Sequence, residues 1–224
     1  QLVEREPGRA DLLRDLSFSY DKLGDIHRYL GKTELALRYS EDSLAIARQL
    51  VEREPGRADL RRDLSHYYEN LGDLHRALGD GQLARRYFDD SLAIAQQLVE
   101  DEPDRADILR DLSISYDNLG NLHRAMGKGQ LALRYFEDSL AIRKQLVERE
   151  PANADLRRDL AHSFERMATV DPERAAEWLG QSLDIRRATC ESDPSNAIAK
   201  RELGVVLLQE IGRASCRERV SLNV

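Results

Sequence analysis

Cysteine is nearly absent from this chain of 224 residues, with Cys190 and Cys216 the only two. Two thiols far apart in sequence build no disulfide framework and have no CxxC metal spacing. They fit a reducing compartment, and a cytoplasmic location is expected. Aromatic residues make up 6%, with 13 glycines and 6 prolines, too few turn-formers and ring side chains for a strand-built sandwich. No run of 18 apolar residues exists, so no segment reads as a membrane-spanning helix. The first residues have neither the basic start nor the apolar middle of a secretion signal. Charge of one sign is also missing: 34 basic and 41 acidic residues are interleaved, for a net charge of -7. Without a basic stripe to hold phosphates, a nucleic-acid partner is not expected, nor is a membrane.

What is abundant is Leu, Ala, Arg and Glu, a helix-forming mixture, and it is arranged in repeats. Residues 1–48 and 49–96 align without a gap at 34 identical positions. The phrase "QLVEREPGRADL" at 1–12 returns at 49–60, then as "QLVEDEPDRADI" at 97–108 and "QLVEREPANADL" at 145–156. Pro7, Pro55, Pro103 and Pro151 mark a 48-residue period, and Pro194 follows after 43. A repeat of this length implies stacked supersecondary units. The expected units are about 8–55, 56–103, 104–151 and 152–194, with a partial fifth at 195–209, all in one array over 1–209.

Within the first unit, Leu12, Leu16, Tyr20, Leu23, His27 and Leu30 recur at spacings of three and four, as one face of a helix does. Leu35, Ala36, Tyr39, Ser43, Ile46 and Leu50 form a second series. These predict a helix A from about Arg9 to Leu30, a turn at Gly31 and Lys32, and a helix B from Thr33, its expected N-cap, to Arg53. Glu54 precedes a proline and so disfavours helical geometry, which ends helix B at the repeated phrase. Asp59 and Asp63 near the next start are expected to complement the helix dipole. In the fourth unit the shorter "VDPER" predicts that helix A ends near Val170 and helix B begins around Pro172.

These residues resemble the tetratricopeptide repeat family. The match runs through Tyr20, Leu23, Gly24, His27, Ala36, Ser40 and Ser43 in the first copy. Leu71, Gly72, His75, Ala84, Phe88 and Ser91 carry it in the second; Leu119, Gly120, His123, Ala132, Phe136 and Ser139 in the third. The fourth keeps Ala175, Leu179 and Ser182 but has Ala168 for the glycine, and Trp178 where the others have tyrosine. The family unit is usually 34 residues, so this is an extended variant, longer by about two turns on each helix. The resemblance implies an all-α fold, an alpha-alpha superhelix: a right-handed solenoid of antiparallel helical hairpins.

Several tempting sites dissolve on inspection. His27, His75 and His123 recur once per copy, but equivalent helices two contacts apart, at about 8–10 Å each, hold such rings roughly 20 Å apart. One metal ion cannot be shared at that distance. "LGKT" at 30–33 lacks the glycine and the strand of a phosphate loop and reads as a turn. The repeated Ser43, Ser91 and Ser139 read as small packing residues. No catalytic set, metal or cofactor is expected, and the chain is read as no enzyme.

The differences between copies are more informative. Phe18 is matched by His66 and Ile114, Lys22 by Asn70 and Asn118, and Tyr29 by Ala77 and Ala125; spacings of four and seven put these on one side of helix A. In the family that side lines the concave groove, and by resemblance Asp25, Asp73 and Asn121 join it, with Arg28, Arg76 and Arg124. A fixed scaffold with varying groove residues suits a protein or peptide receptor. Drift between duplicated copies is the alternative, since Leu13, Leu37 and Glu41 also vary. Arrays of this family often form sensor or docking portions of larger signalling or regulatory proteins, in bacteria among other organisms. A structural spacer or oligomerisation module, self-associating through open array ends, is the second reading.

The end of the chain breaks the pattern. "EIGRASCRERV" at 210–220 looks like a translated sequencing adapter, so 210–224 is expected to be non-native. The start in mid-phrase at Gln1 suggests an excerpt from a longer chain. Val205, Val206, Leu207 and Leu208 are expected to form an exposed apolar edge.

Overall fold

A computed structural model describes residues 9–192, 197, 198 and 200–208. The expected tail at 210–224 and Cys216 lie outside these residues. All regular structure among the described residues is helical. The chain divides into two compact units, Gln1–Met126 and Gly127–Val224. The first contains α1 (Ala10–Tyr29), α2 (Thr33–Arg53), α3 (Ala58–Ala77), α4 (Gly81–Asp101) and α5 (Ala106–Ala125). The second contains α6 (Gly129–Arg149), α7 (Ala154–Val170) and α8 (Ala175–Ser192), followed by helical residues 200–208.

In the first unit each helix packs on the next in sequence, and α3 also touches α5. Three residues join α1 to α2, too few for anything but an antiparallel hairpin. The turn is closed by Gly31, whose φ of 69° is left-handed; Lys32 N donates to His27 O at 2.9 Å and Gly31 N to Arg28 O at 3.1 Å. This paired closure satisfies two carbonyls that a helix end leaves open, and it recurs at Gly79 with φ 81°. Helix B spans Thr33–Arg53 as expected, but its cap falls one residue earlier. Lys32 is the N-cap and makes no side-chain cap bond, so Thr33 is already helical. Asp80 stands at the same place in the next copy and does cap, its carboxylate accepting from Leu83 N at 3.0 Å.

The hairpin closes tightly where glycine faces helix B. A Cβ on Gly72 would stand 2.5 Å from Phe88 Cε1, and one on Gly24 would stand 2.8 Å from Ser40 Oγ. In the fourth copy Ala168 replaces the glycine, and the ring gives way to Leu179. His27 stacks on Tyr39 and His75 on Tyr87, with ring centroids 5.3 and 5.4 Å apart. These histidines thus pack inside their own hairpins.

The core of the first unit gathers Leu44, Ala47, Leu64, Tyr67, Leu71 and Leu74, with Leu13, Leu50 and Leu60 beside it. The second unit has its own cluster, including Phe136, Leu160, Phe164, Met167, Trp178 and Leu179. Val206 is 1% exposed and belongs to that cluster, with Leu207 packed against it. The exposed edge expected at 205–208 is therefore confined to Val205 and Leu208, because a helix buries every third or fourth residue. The start of α8 also differs from expectation. Asp171 accepts from Arg174 N at 3.3 Å and from Trp178 Nε1 at 3.0 Å, holding residues 172–174 in a bend so that the helix starts at Ala175.

Candidate binding site

The side of helix A where the copies differ is held together by polar side chains that its own helices supply. Lys22 Nζ lies 3.1 Å from Asp21 and 3.4 Å from Asp25, above the Phe18 ring. Asn70 Nδ2 donates to Asp21 Oδ1 at 2.6 Å, and His66 Nε2 stands 3.8 Å from Asp21 Oδ2, an ion-pair distance. Burial disfavours the Asp21 charge, but His66 and Lys22 outweigh it and hold the carboxyl below its ordinary value. The same Asp21 raises His66 against the cost of burying it. Asp25 pairs with Arg28 at 2.7 Å and Asp73 with Arg76 at 2.8 Å, each within one helix turn. Tyr29 is 91% exposed, Arg124 is exposed, and Asn118 and Asn121 are half-buried.

Three of the predicted residues, Phe18, His66 and Ile114, meet around a cavity of about 290 Å³ walled by α1, α3 and α5. Ala95 and Leu98 of α4 form its buried floor. Into it faces Glu69, a residue that the spacing argument passes over. Glu69 Oε1 accepts from Ser115 Oγ at 2.9 Å and from Ser91 Oγ at 3.2 Å, and Ser65 Oγ lies 2.9 Å from Ser91 Oγ. Burial pushes the Glu69 carboxyl up to about 7; the hydroxyls and His66 offset only part of that. Ser91 is thus buried as a packing residue would be, and its hydroxyl also works in a polar network.

The other acids of the cavity are already matched. Arg14 bridges Asp59 and Asp63 at 2.8 and 2.5 Å, and Arg62 bridges Asp107 and Asp111 at 2.6 Å each. These clamps tie α1 to α3 and α3 to α5 at equivalent places. Asp59, in the first turn of α3, thus serves the neighbouring helix as well as the dipole of its own, whereas Asp63 lies beyond that turn and serves the clamp alone. Among the described residues no metal-binding cluster of His, Cys, Asp or Glu occurs, and no helix is long and apolar enough to cross a membrane.

The arrangement offers contacts, a shaped recess and fixed charges, which is chemistry for binding. Comparison with known proteins places the scaffold. Tetratricopeptide repeat models match residues 19–55, 63–117 and 113–188. The chain belongs to the tetratricopeptide repeat family. Members of this family are scaffolds typical of protein–protein interaction, generally binding proteins or peptides. No curated protein matches this tetratricopeptide repeat chain. It is similar in fold to BtubC (BKLC) from P. vanneervenii, at 22% identity and a TM-score of 0.62, covering 80% of this chain and 65% of that one. Nearly identical TPR-like repeats from Podosopora anserina match at 19% identity and a TM-score of 0.58, covering 96% of this chain and 94% of that one. The apo form of RapI matches at 12% identity and a TM-score of 0.56, covering 84% and 45%. The chain thus spans about two thirds of BtubC and under half of RapI, and shares with these tetratricopeptide-type structures the all-α solenoid fold class.

Asp21, Glu69, Asp117 and Glu165 occupy one repeat position, an acid in every copy next to the apolar stripe of helix A. That regularity was the signal for the cavity carboxylate. It escapes a search for differences between copies, because its charge does not vary.

Proposed function

We propose that this tetratricopeptide repeat chain is a non-catalytic docking scaffold, serving as a sensor or docking portion of a larger signalling or regulatory protein, in which residues 1–209 count as one series of extended repeats. The ligand is an extended or helical segment of a protein, taken on the helix A side. The observation that carries this reading is the cavity among α1, α3 and α5, whose mouth is formed by three residues that differ between copies: Phe18, His66 and Ile114. Closely similar neighbouring hairpins thereby present unlike side chains to one ligand. Lys22, Asn70, Asn118, Asp25, Asp73, Asn121, Tyr29 and the arginines at 28, 76 and 124 extend the surface along each helix.

Capture of peptides by the immobilised full chain tests this. Changing Asn70 to alanine and reversing the charge of Arg76 and Arg124 should weaken capture at unchanged helicity; an unaltered set of bound peptides would overturn it. The repeated Arg14 and Arg62 clamps, which stiffen the stack, favour a second reading as a spacer or self-associating module. That reading expects those surface changes to be silent and the molecular mass in solution to rise with concentration.

A further inference from the structure

In the second unit the acid equivalent to Glu69 is already paired with an arginine of its own chain. Two copies after Glu69, Glu165 stands at the same repeat position, and Ser182 stands where Ser91 does. Ser182 Oγ donates to Glu165 Oε1 at 2.8 Å, as Ser91 and Ser115 do to Glu69. The difference lies four residues beyond the serine. The floor residue Ala95 is replaced by Arg186, in "SLAIA" against "SLDIR". Arg186 is 4% exposed; its Nε lies 2.9 Å and its terminal NH2 group 2.7 Å from Glu165 Oε1, while its other terminal nitrogen reaches Glu202 at 2.5 Å.

The electrostatic outcome follows the cation. Burial opposes ionisation of Glu165, but His162, Arg186 and Ser182 overcome it and hold the carboxyl down at about 2. Glu69 has the hydroxyls and a nearby histidine but no arginine, and burial keeps it at about 7. The remaining charged groups facing the cavity do not supply one. Arg62 is held by Asp107 and Asp111, Asp63 by Arg14, and Asp21 by Lys22 and His66. Among the described residues, Glu69 is the cavity acid without an ion-pair partner.

We infer that the cavity over Glu69 is a subsite for the guanidinium of an arginine side chain presented by a peptide partner, held there as Glu165 holds Arg186. The inference rests on the docking reading above and names the chemistry of its ligand. A guanidinium carries five donors in a planar fork, suited to a carboxylate flanked by hydroxyl oxygens. The arginine stem is apolar, and Phe18 and Ile114 at the mouth offer it surface. The volume of about 290 Å³ far exceeds the share of about 30 Å³ that one water takes. Alanine at 95 leaves that space to an outside group.

The test uses the full chain with two capped tripeptides, Gly-Arg-Gly and its citrulline counterpart, which keeps the shape and loses the charge. Binding is read by calorimetry, and the Glu69 titration by carboxyl-labelled NMR. The arginine peptide should bind at least tenfold more tightly than the citrulline peptide and lower the Glu69 midpoint. Glu69→Gln should abolish that preference. Ala95→Arg, which plants the arginine of the fourth copy, should block the peptide and lower the Glu69 midpoint by itself. Should Ala95→Arg lose helicity, Phe18→Ala serves in its place and should weaken the arginine peptide severalfold. Equal binding of the two tripeptides, or an arginine preference that survives Glu69→Gln, overturns the inference. If longer peptides still bind through Asn70 and Arg76 while the tripeptides do not distinguish charge, the docking scaffold stands and the arginine subsite falls.

Discussion

At the scale of the residue, the same acid position yields opposite electrostatics according to what reaches it. A folded-state carboxyl raised to about 7 at Glu69 holds its proton where the unfolded chain, near 4.5, has lost it. The folded state therefore binds more protons between these values, and Glu69 costs stability as pH rises from about 4.5 to about 7, by up to about 3 kcal/mol. Glu165, held at about 2, contributes stability that is complete above 4.5 and is lost as pH falls toward 2. Urea unfolding of Glu69→Gln against wild type should show this: near pH 4.5 the two should be alike, and above pH 7 the variant should be more stable by about 2–3 kcal/mol. A constant difference across that range would show that Glu69 titrates normally. Glu165→Gln should behave conversely, losing stability at neutral pH and losing little below pH 2.

At the scale of the element, helix spans were legible and helix details less so. The spacing of Leu12, Leu16, Tyr20 and Leu23 placed the first helix within one residue of its observed ends at both sides, because apolar periodicity and a left-handed glycine are local properties. The cap at Lys32 and the late start of α8 at Ala175 depend on which side chain reaches which backbone amide, and Asp171 gives no sign in sequence that it will hold both Arg174 and Trp178. The cavity lining follows the same division. Phe18, His66 and Ile114 stand out in the sequence because they differ between copies, whereas Glu69, which lines the same cavity, does not, because its surroundings are set by Ala95 and Ser115 on other helices. The close approach of Gly72 to Phe88 gives a test of how strictly the hairpin is fitted. Gly72→Ala should destabilise by about 1–3 kcal/mol, since the methyl group must displace a buried ring. Phe88→Leu should cost stability alone yet lose less when combined with Gly72→Ala, reproducing the Ala168 and Leu179 pair of the fourth copy. A double-mutant cycle with no coupling would place the clash elsewhere.

At the scale of the whole molecule, two compact units with separate buried clusters make stability a local matter. Repeat arrays are held chiefly by contacts within a repeat and with its neighbours, so damage need not spread through the chain. Trp178 is the only tryptophan, and it lies in the cluster of residues 127–224, so its fluorescence reports that unit while circular dichroism reports both. Leu71, fully buried in the first unit, provides the perturbation: Leu71→Ala should cost about 2–5 kcal/mol there through lost burial and the cavity left behind. Denaturation followed by the two signals should then separate, with the circular dichroism midpoint falling and the Trp178 midpoint lagging behind it. Leu179→Ala should reverse the order, moving the fluorescence transition first. If both variants shift both signals together, the 224 residues unfold as one cooperative body, and the separate clusters do not act as separate units of stability.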